Sequence, residues 1–348
     1  MKFTNRLAAA SVALCSTMGI AHAQDPNPSA LAVQAHFHLP GDTHWDYLAV
    51  DPVRHHLFVS RDTFVQVVDV DSGRLLATIP NMQGVHGFAF VQDRKLGFIT
   101  NGRGNTLAVI DLDSLKTIGS IRAGGPDPDG ILYVPQLDRI FVSNGHGESV
   151  SMVDPASRTI IATIAVGGKP EALAADDAGH VFVNIEDKGE IVEIDARQSQ
   201  VLAHWSLAPC EEPSGLAIDV PNKRLFSTCS NRRMAVVDAT NGHVVAQVPI
   251  GDHPDAAVFD PDLKIALSSN GDSGTLTVVH EDDPDHYTVL RNVKTMAGAK
   301  TMAFDAPNHR IYLASSRFGP VAKATALNPH PRPSIVPGSF EIEVVGRD

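Results

Sequence analysis

The chain is short of several things at once. Only 20 % of its 348 residues are charged, which argues against a coiled coil or a helical protein laced with ion pairs. No segment beyond the first two dozen residues sustains a 3.6-residue apolar period, so amphipathic helices are not expected. No stretch reaches 18 apolar residues, so no membrane-spanning helix is predicted. There are only three cysteines, Cys15, Cys210 and Cys229, and no C-x-x-C or haem-attachment spacing. G-x-S-x-G, H-E-x-x-H and phosphate-loop patterns are missing too, which removes the commonest hydrolase, zinc-protease and nucleotide readings. Positive charge is scarce. The formal net charge is −12, and −14 once Lys2 and Arg6 are set aside with the leader described next. Such a surface repels phosphate backbones, so nucleic acid is not an expected partner.

What is present begins with a leader. Lys2 and Arg6 precede an apolar run over Leu7–Ala21, and Ala21-His22-Ala23 fits a small-residue cleavage site. Residues 1–23 are therefore expected to be a cleaved signal peptide, with the mature chain starting at Gln24. A lipid attachment at Cys15 is disfavoured because Leu14 precedes it. The expected location is the periplasm or the exterior. In such an oxidising compartment Cys210 and Cys229 are free to pair.

An internal repeat follows. Val67-Val68-Asp69, Val109-Ile110-Asp111, Met152-Val153-Asp154, Glu193-Ile194-Asp195 and Val236-Val237-Asp238 recur every 41 to 43 residues, and Val278-Val279-His280 continues the series. A short run of small apolar residues precedes each by about 20 positions, as in Leu48-Ala49-Val50-Asp51 and Leu216-Ala217-Ile218-Asp219. Seven such runs occur, ending with Met302-Ala303-Phe304-Asp305. Self-similarity near 40 residues, built from short β-type runs between turns, predicts an all-β, seven-bladed propeller with four-stranded blades over residues 24–348. The third-strand Asp recurs too regularly for catalysis and is expected to cap turns.

The ends of the chain predict how the ring closes. Ile311–Ser315 and Phe340–Val345 supply the second and third strands of blade seven, and no fourth follows. Val33–Gly41 stands just before blade one and resembles a fourth strand. Blade seven is thus expected to close 3+1 with the N-terminal strand, which removes an open edge. Residues 317–338 form a Pro-rich insertion within that blade. It is expected to be an irregular loop that brings Lys323, His330 and Arg332 toward the channel mouth.

The repeat Pro-x-Gly/Ala-Leu-Ala-x-Asp-Pro…Arg-Ile-Phe-Val-Ser-Asn-Gly…Val-x-Val-Val-Asp…Val-Ala-Thr-Ile-x-Val-Gly resembles the YVTN β-propeller repeats of exported YncE-like proteins. Gly130–Gly167 and Gly215–Gly251 carry it most clearly, and the resemblance spans the mature chain. It implies the propeller fold and export; such folds host lactonases, lyases, dehydrogenases and pure binding scaffolds alike.

Candidate functional residues follow from topology. In a propeller the loops leading into each first strand share one face with the loops leaving each second strand. That face carries the channel mouth. Asp46, Asp129, Glu171 and Asp255 would converge there, joined by His86, Asn144 and Lys300 as ligand-binding residues, with Asn101 offering a further neutral oxygen. The four carboxylates would suit Ca²⁺ or Mg²⁺. His44, His86, His146 and His253 could instead serve a transition metal. The turn of Val220–Lys223 folds the chain so that Cys229 faces Ser214 or a neighbour, four residues from Cys210, and a disulfide is expected. The leading functional expectation is an exported, monomeric scaffold that binds a small ligand or an exported protein at the mouth. The alternatives are a divalent-metal-dependent lactonase or lyase using the acidic rim and an accessory subunit of a periplasmic redox system.

Overall fold

Each repeat becomes a blade because its four short runs alternate with tight turns that the sequence already marks. The computed structural model describes residues 30–321, 323, 325, 331 and 333–347. The leader at 1–23 and the mature start at Gln24 lie outside the described residues, as do His330 and Arg332. Seven four-stranded antiparallel sheets form a ring, and the described residues contain no α-helix. Blade one runs through Leu48–Asp51, His56–Arg61, Phe64–Asp69 and Leu75–Ile79. Blade seven has the strand order Ala32–His38, Glu341–Gly346, Arg310–Ser315, Met302–Asp305, so the strand that precedes blade one does complete the last blade. Among the described residues no helix is long and apolar enough to cross a membrane.

The apolar core is divided among the seven joints between blades. One cluster combines Phe58 and Val67 of blade one with Phe88 and Ile99 of blade two; another combines Phe226 and Val236 of blade five with Ala266 and Val279 of blade six. Six of the seven second strands contribute one large ring to these joints: Phe58, Phe98, Phe141, Phe182, Phe226 and Tyr312, each with no solvent exposure. The recurrence of that ring every 40-odd residues is the fold signal in its most compact form. Burying one such side chain stabilises by roughly 1.5–3 kcal/mol.

The recurrent aspartates do cap turns. Asp69, Asp111, Asp154, Asp195 and Asp238 each accept a backbone N–H two or three residues on, at 2.7–2.9 Å.

The insertion departs from the irregular loop that its prolines suggest. Phe318–Val321 and Pro333–Ile335 pair as a two-stranded hairpin. Pro320 lies in the first of these strands, which has one neighbour only, and Pro333 starts the second, positions where a missing N–H is tolerated. Lys323 is exposed.

Candidate functional site

The blades approach most closely at the axis, and glycine permits it. A Cβ on Gly130 would lie 2.7 Å from the Glu171 carbonyl oxygen of the next blade, and one on Gly215 would lie 2.5 Å from the Ala257 nitrogen. The residue before each of these glycines occupies the same position in its blade. Around the ring that position reads Asp46, His86, Asp129, Glu171, Ser214, Asp255 and Lys300. Polar side chains of the blades pin its backbone across the joints: Thr100 Oγ1 donates to the Asp129 carbonyl at 2.8 Å, Ser143 Oγ to that of Glu171 at 2.6 Å, Asn184 Nδ2 to that of Ser214 at 3.0 Å and Thr301 Oγ1 to that of Asp46 at 2.6 Å. The mouth is therefore a rigid ring of seven equivalent side chains.

Charge alternates along most of that ring. Lys300 Nζ pairs with Asp255 and stands 3.8 Å from Asp46 Oδ1. Asp46 Oδ2 is 2.5 Å from His86 Nδ1, which lies 3.6 Å from Asp129 Oδ1. The order Asp255, Lys300, Asp46, His86, Asp129 thus runs anion, cation, anion, cation, anion. The next member, Glu171, is a second anion, and the alternation breaks there. Glu171 takes its cation from its own blade: Lys169 Nζ is 2.7 Å from Glu171 Oε1 and also pairs with Glu186. Asp129 has no equivalent partner. Its Oδ1 is buried and accepts no hydrogen bond.

Protonation follows this pattern. Burial pushes the Asp129 carboxyl up to about 7, against the pull of His86. Burial, then the facing Asp129 charge, pushes Glu171 up to about 9. Burial would lower His86, but its bond to Asp46 and the Asp129 charge hold the imidazolium at about 9. For Asp46, burial is outweighed by Lys300 and His86, and the carboxyl stays below its usual value. Lys300 is held above its usual value by Asp255 and Asp46 in spite of burial. The two carboxyls that hold their protons to the highest pH are therefore neighbours, where blades three and four meet.

Below the ring the channel holds a cavity of about 180 Å³, lined by Tyr47, Gly87, Gly130, Gly215, Asp255 and Met302 among others. Tyr47 is a site residue that sequence reasoning missed. Burial pushes its phenol well above the usual value, and Asp129, Asp255, Glu171 and Asp46 all add to the effect. Its place directly after the ring residue Asp46 is the signal that could have found it. A larger cleft, about 560 Å³, separates the outer strands of blades one and two, but its lining carries one ionisable side chain, Lys116.

Of the residues expected at the mouth, Asp46, His86, Asp129, Asp255 and Lys300 form one continuous chain of contacts, and Glu171 adjoins it. Asn144 does not join them. It is fully buried and donates to Ser149 and Ser151 of its own blade at 3.2 and 2.8 Å. Asn101 accepts from the Gln83 backbone at 3.3 Å. His44 and His253 are exposed, and His146 pairs with Asp127 at 3.0 Å. The two cysteines are bonded, with Cα atoms 5.4 Å apart and Cys229 opposite Pro213.

The fold and this mouth define a seven-bladed β-propeller with a charged axial ring. Solved structures share the architecture, among them the following three. Kuenenia stuttgartiensis hydrazine synthase aligns with a TM-score of 0.69 at 15 % identity, covering 79 % of this chain and 92 % of its own. The U3-55K structure aligns at 0.73 and 12 % identity, covering 91 % and 99 %. The RRP9 WD40 repeats align at 0.74 and 12 % identity, covering 92 % and 99 %. At these identities the likeness is one of fold. Neither a family model nor a curated protein sequence matches the chain.

Proposed function

We propose that this chain is an exported propeller that binds a cation-bearing ligand at the mouth of its channel. The observation that supports the reading is the break in charge alternation at Asp129 and Glu171. A positively charged group seated there would restore the alternation and give the buried Asp129 Oδ1 a partner. An unpaired buried acceptor costs about 1–3 kcal/mol, and a ligand that satisfies it recovers that cost. Small size is implied by the 180 Å³ cavity and by glycine-tight walls that do not spread. Export is supported by the leader pattern and by the Cys210–Cys229 bond, which an oxidising compartment maintains. The leader pattern and repeat sequence also keep a YncE-like relationship as our reading of the chain's ancestry.

The test is a thermal-shift screen at pH 8 and low ionic strength. Diamines, guanidinium compounds and divalent cations are compared with neutral isosteres of the same size. Cationic compounds should raise Tm in the wild type and should do so much less in Asp129→Asn. The reading fails if only neutral or anionic compounds shift Tm, or if the variant responds like the wild type.

A further inference from the structure

The geometry points to a divalent transition-metal site made by Asp46, His86 and Asp129. The inference rests on the cation-accepting mouth proposed above and narrows its ligand to one class.

Three features carry it. The first is convergence: a carboxylate oxygen of Asp46, a ring nitrogen of His86 and a carboxylate oxygen of Asp129 all lie within 4.8 Å of one another. They come from three successive blades at one structural position, so the set is held by the ring and not by one flexible loop. The second is the free acceptor. Asp129 Oδ1 is buried, stands 3.6 Å from His86 Nδ1 and receives no hydrogen bond, although buried acceptors are nearly always satisfied. The third is the room around His86. Gly102 stands over the far side of its ring, where a Cβ would come within 2.6 Å of Nε2 and 2.8 Å of Asp127 Oδ1. A bare backbone there leaves room for the imidazole to sit with its Nδ1 between Asp46 and Asp129.

The donor set also selects the ion. One imidazole and two carboxylates suit Mn²⁺, Fe²⁺ or Zn²⁺ better than Ca²⁺ or Mg²⁺, which prefer all-oxygen cages. Glu171 and Asp255 would complete an all-oxygen cage, but each is occupied by a lysine, Lys169 and Lys300 respectively. Three protein ligands at the top of a channel cavity leave positions for water or substrate, the arrangement of catalytic metal sites and not of closed structural ones.

The experiment is equilibrium dialysis of the disulfide-bonded mature protein against Mn²⁺, Zn²⁺ and Ca²⁺, each as the sole divalent ion. One Mn²⁺ or Zn²⁺ per chain is expected, bound at least tenfold more tightly than Ca²⁺. His86→Gln and Asp129→Asn should each weaken Mn²⁺ by tenfold or more, whereas His253→Gln, at an exposed histidine outside the set, should keep the stoichiometry. Should the ring variants fail to fold, Cu²⁺ electron paramagnetic resonance of the wild type serves instead, and splitting from a single nitrogen is expected at one equivalent. Equal affinity for Ca²⁺, an unaffected His86→Gln, or a multi-nitrogen spectrum from exposed histidines overturns the proposal. If no metal binds while diamines still raise Tm, the metal inference falls alone. If neither binds, the cation-accepting mouth falls with it.

Discussion

The guanidinium of Arg61 lies over the ring of Phe340, 3.6 Å from its centroid. This contact joins the second strand of blade one to the segment leading into the third strand of blade seven, across the seam where the ring closes. Arg61 is fully buried, and no carboxylate pairs with it among the described residues. Burial lowers it to about 10. In place of an ion pair it donates to Gln66 Oε1 at 2.5 Å, to the Gly41 carbonyl at 2.6 Å and to that of Pro40 at 3.4 Å. It therefore holds the linker that runs from the closing strand to the loop carrying Asp46.

Arg61→Lys tests that role. Lysine keeps the charge but loses the planar face and the fork of donors. We expect a loss of about 1–2 kcal/mol, from the stacking and the surrendered hydrogen bonds, read as a lower midpoint in urea. An unchanged midpoint would show that the linker holds itself.

The same seam should fail outright when its outer strand is removed. Deleting Ala32–His38 uncovers the edge of Glu341–Gly346, whose backbone groups now pair with that strand. Exposed strand edges recruit other chains. The expected result is aggregation or loss of cooperative melting, followed by light scattering during a thermal ramp. A monomeric, sharply melting deletion variant would contradict the 3+1 closure.

Much of this was legible in the sequence because a propeller repeats one position seven times. The spacing of Asp69, Asp111, Asp154, Asp195 and Asp238 gives the period, and the residue before Gly87, Gly130 and Gly215 gives the ring. What could not be read was direction. Asn101 and Asn144 recur as regularly as the ring residues, yet both are buried, Asn144 tied to Ser149 and Ser151 of its own blade and Asn101 to the Gln83 backbone. The pairing of Lys300 with both Asp255 and Asp46 depends on side-chain reach across blades that no spacing encodes. The pairing of Phe318–Val321 with Pro333–Ile335 was hidden by the prolines of this stretch. It is held down where Phe318 stacks on Trp45, with centroids 6.0 Å apart.

The disulfide should matter to stability more than to shape. Cys210 and Cys229 are 19 residues apart and both buried. Closing a loop of that length contributes on the order of 3 kcal/mol through the unfolded chain. Cys210→Ala/Cys229→Ala should lower the denaturation midpoint by a corresponding amount and leave the circular dichroism spectrum intact. Thiol titration of the unfolded, unreduced protein should find no free thiol at these two positions. Two free thiols there would remove the basis of the prediction.

Gly102 gives a way to disturb the mouth without touching the ring residues. Adding a Cβ 2.6 Å from His86 Nε2 must push the imidazole away. Its contacts with Asp46 and Asp129 should loosen, and its proton affinity should fall. Ring-proton NMR of the wild type should show one histidine titrating at about 9. In Gly102→Ala that titration should move toward the ordinary histidine range while the melting curve stays cooperative. A histidine still titrating at about 9 would mean that the ring yields elsewhere.

A second buried carboxyl predicts the response to pH. Glu281 is 2 % exposed and its Oε2 has no hydrogen-bond partner. Burial, and the neighbouring Asp219 carboxylate, push it up to about 7. A carboxyl raised in the folded state binds more protons there than in the unfolded chain. Its contribution is therefore most favourable below the ordinary value of 4.5, and it is lost as pH rises from there through about 7. The loss is at most about 3 kcal/mol. Glu281→Gln carries an amide that can donate to Asp219 at every pH. Melts of both proteins between pH 5 and pH 8 should show the wild type losing stability relative to the variant as pH rises. Parallel curves across that range would show that Glu281 does not gain its proton from folding.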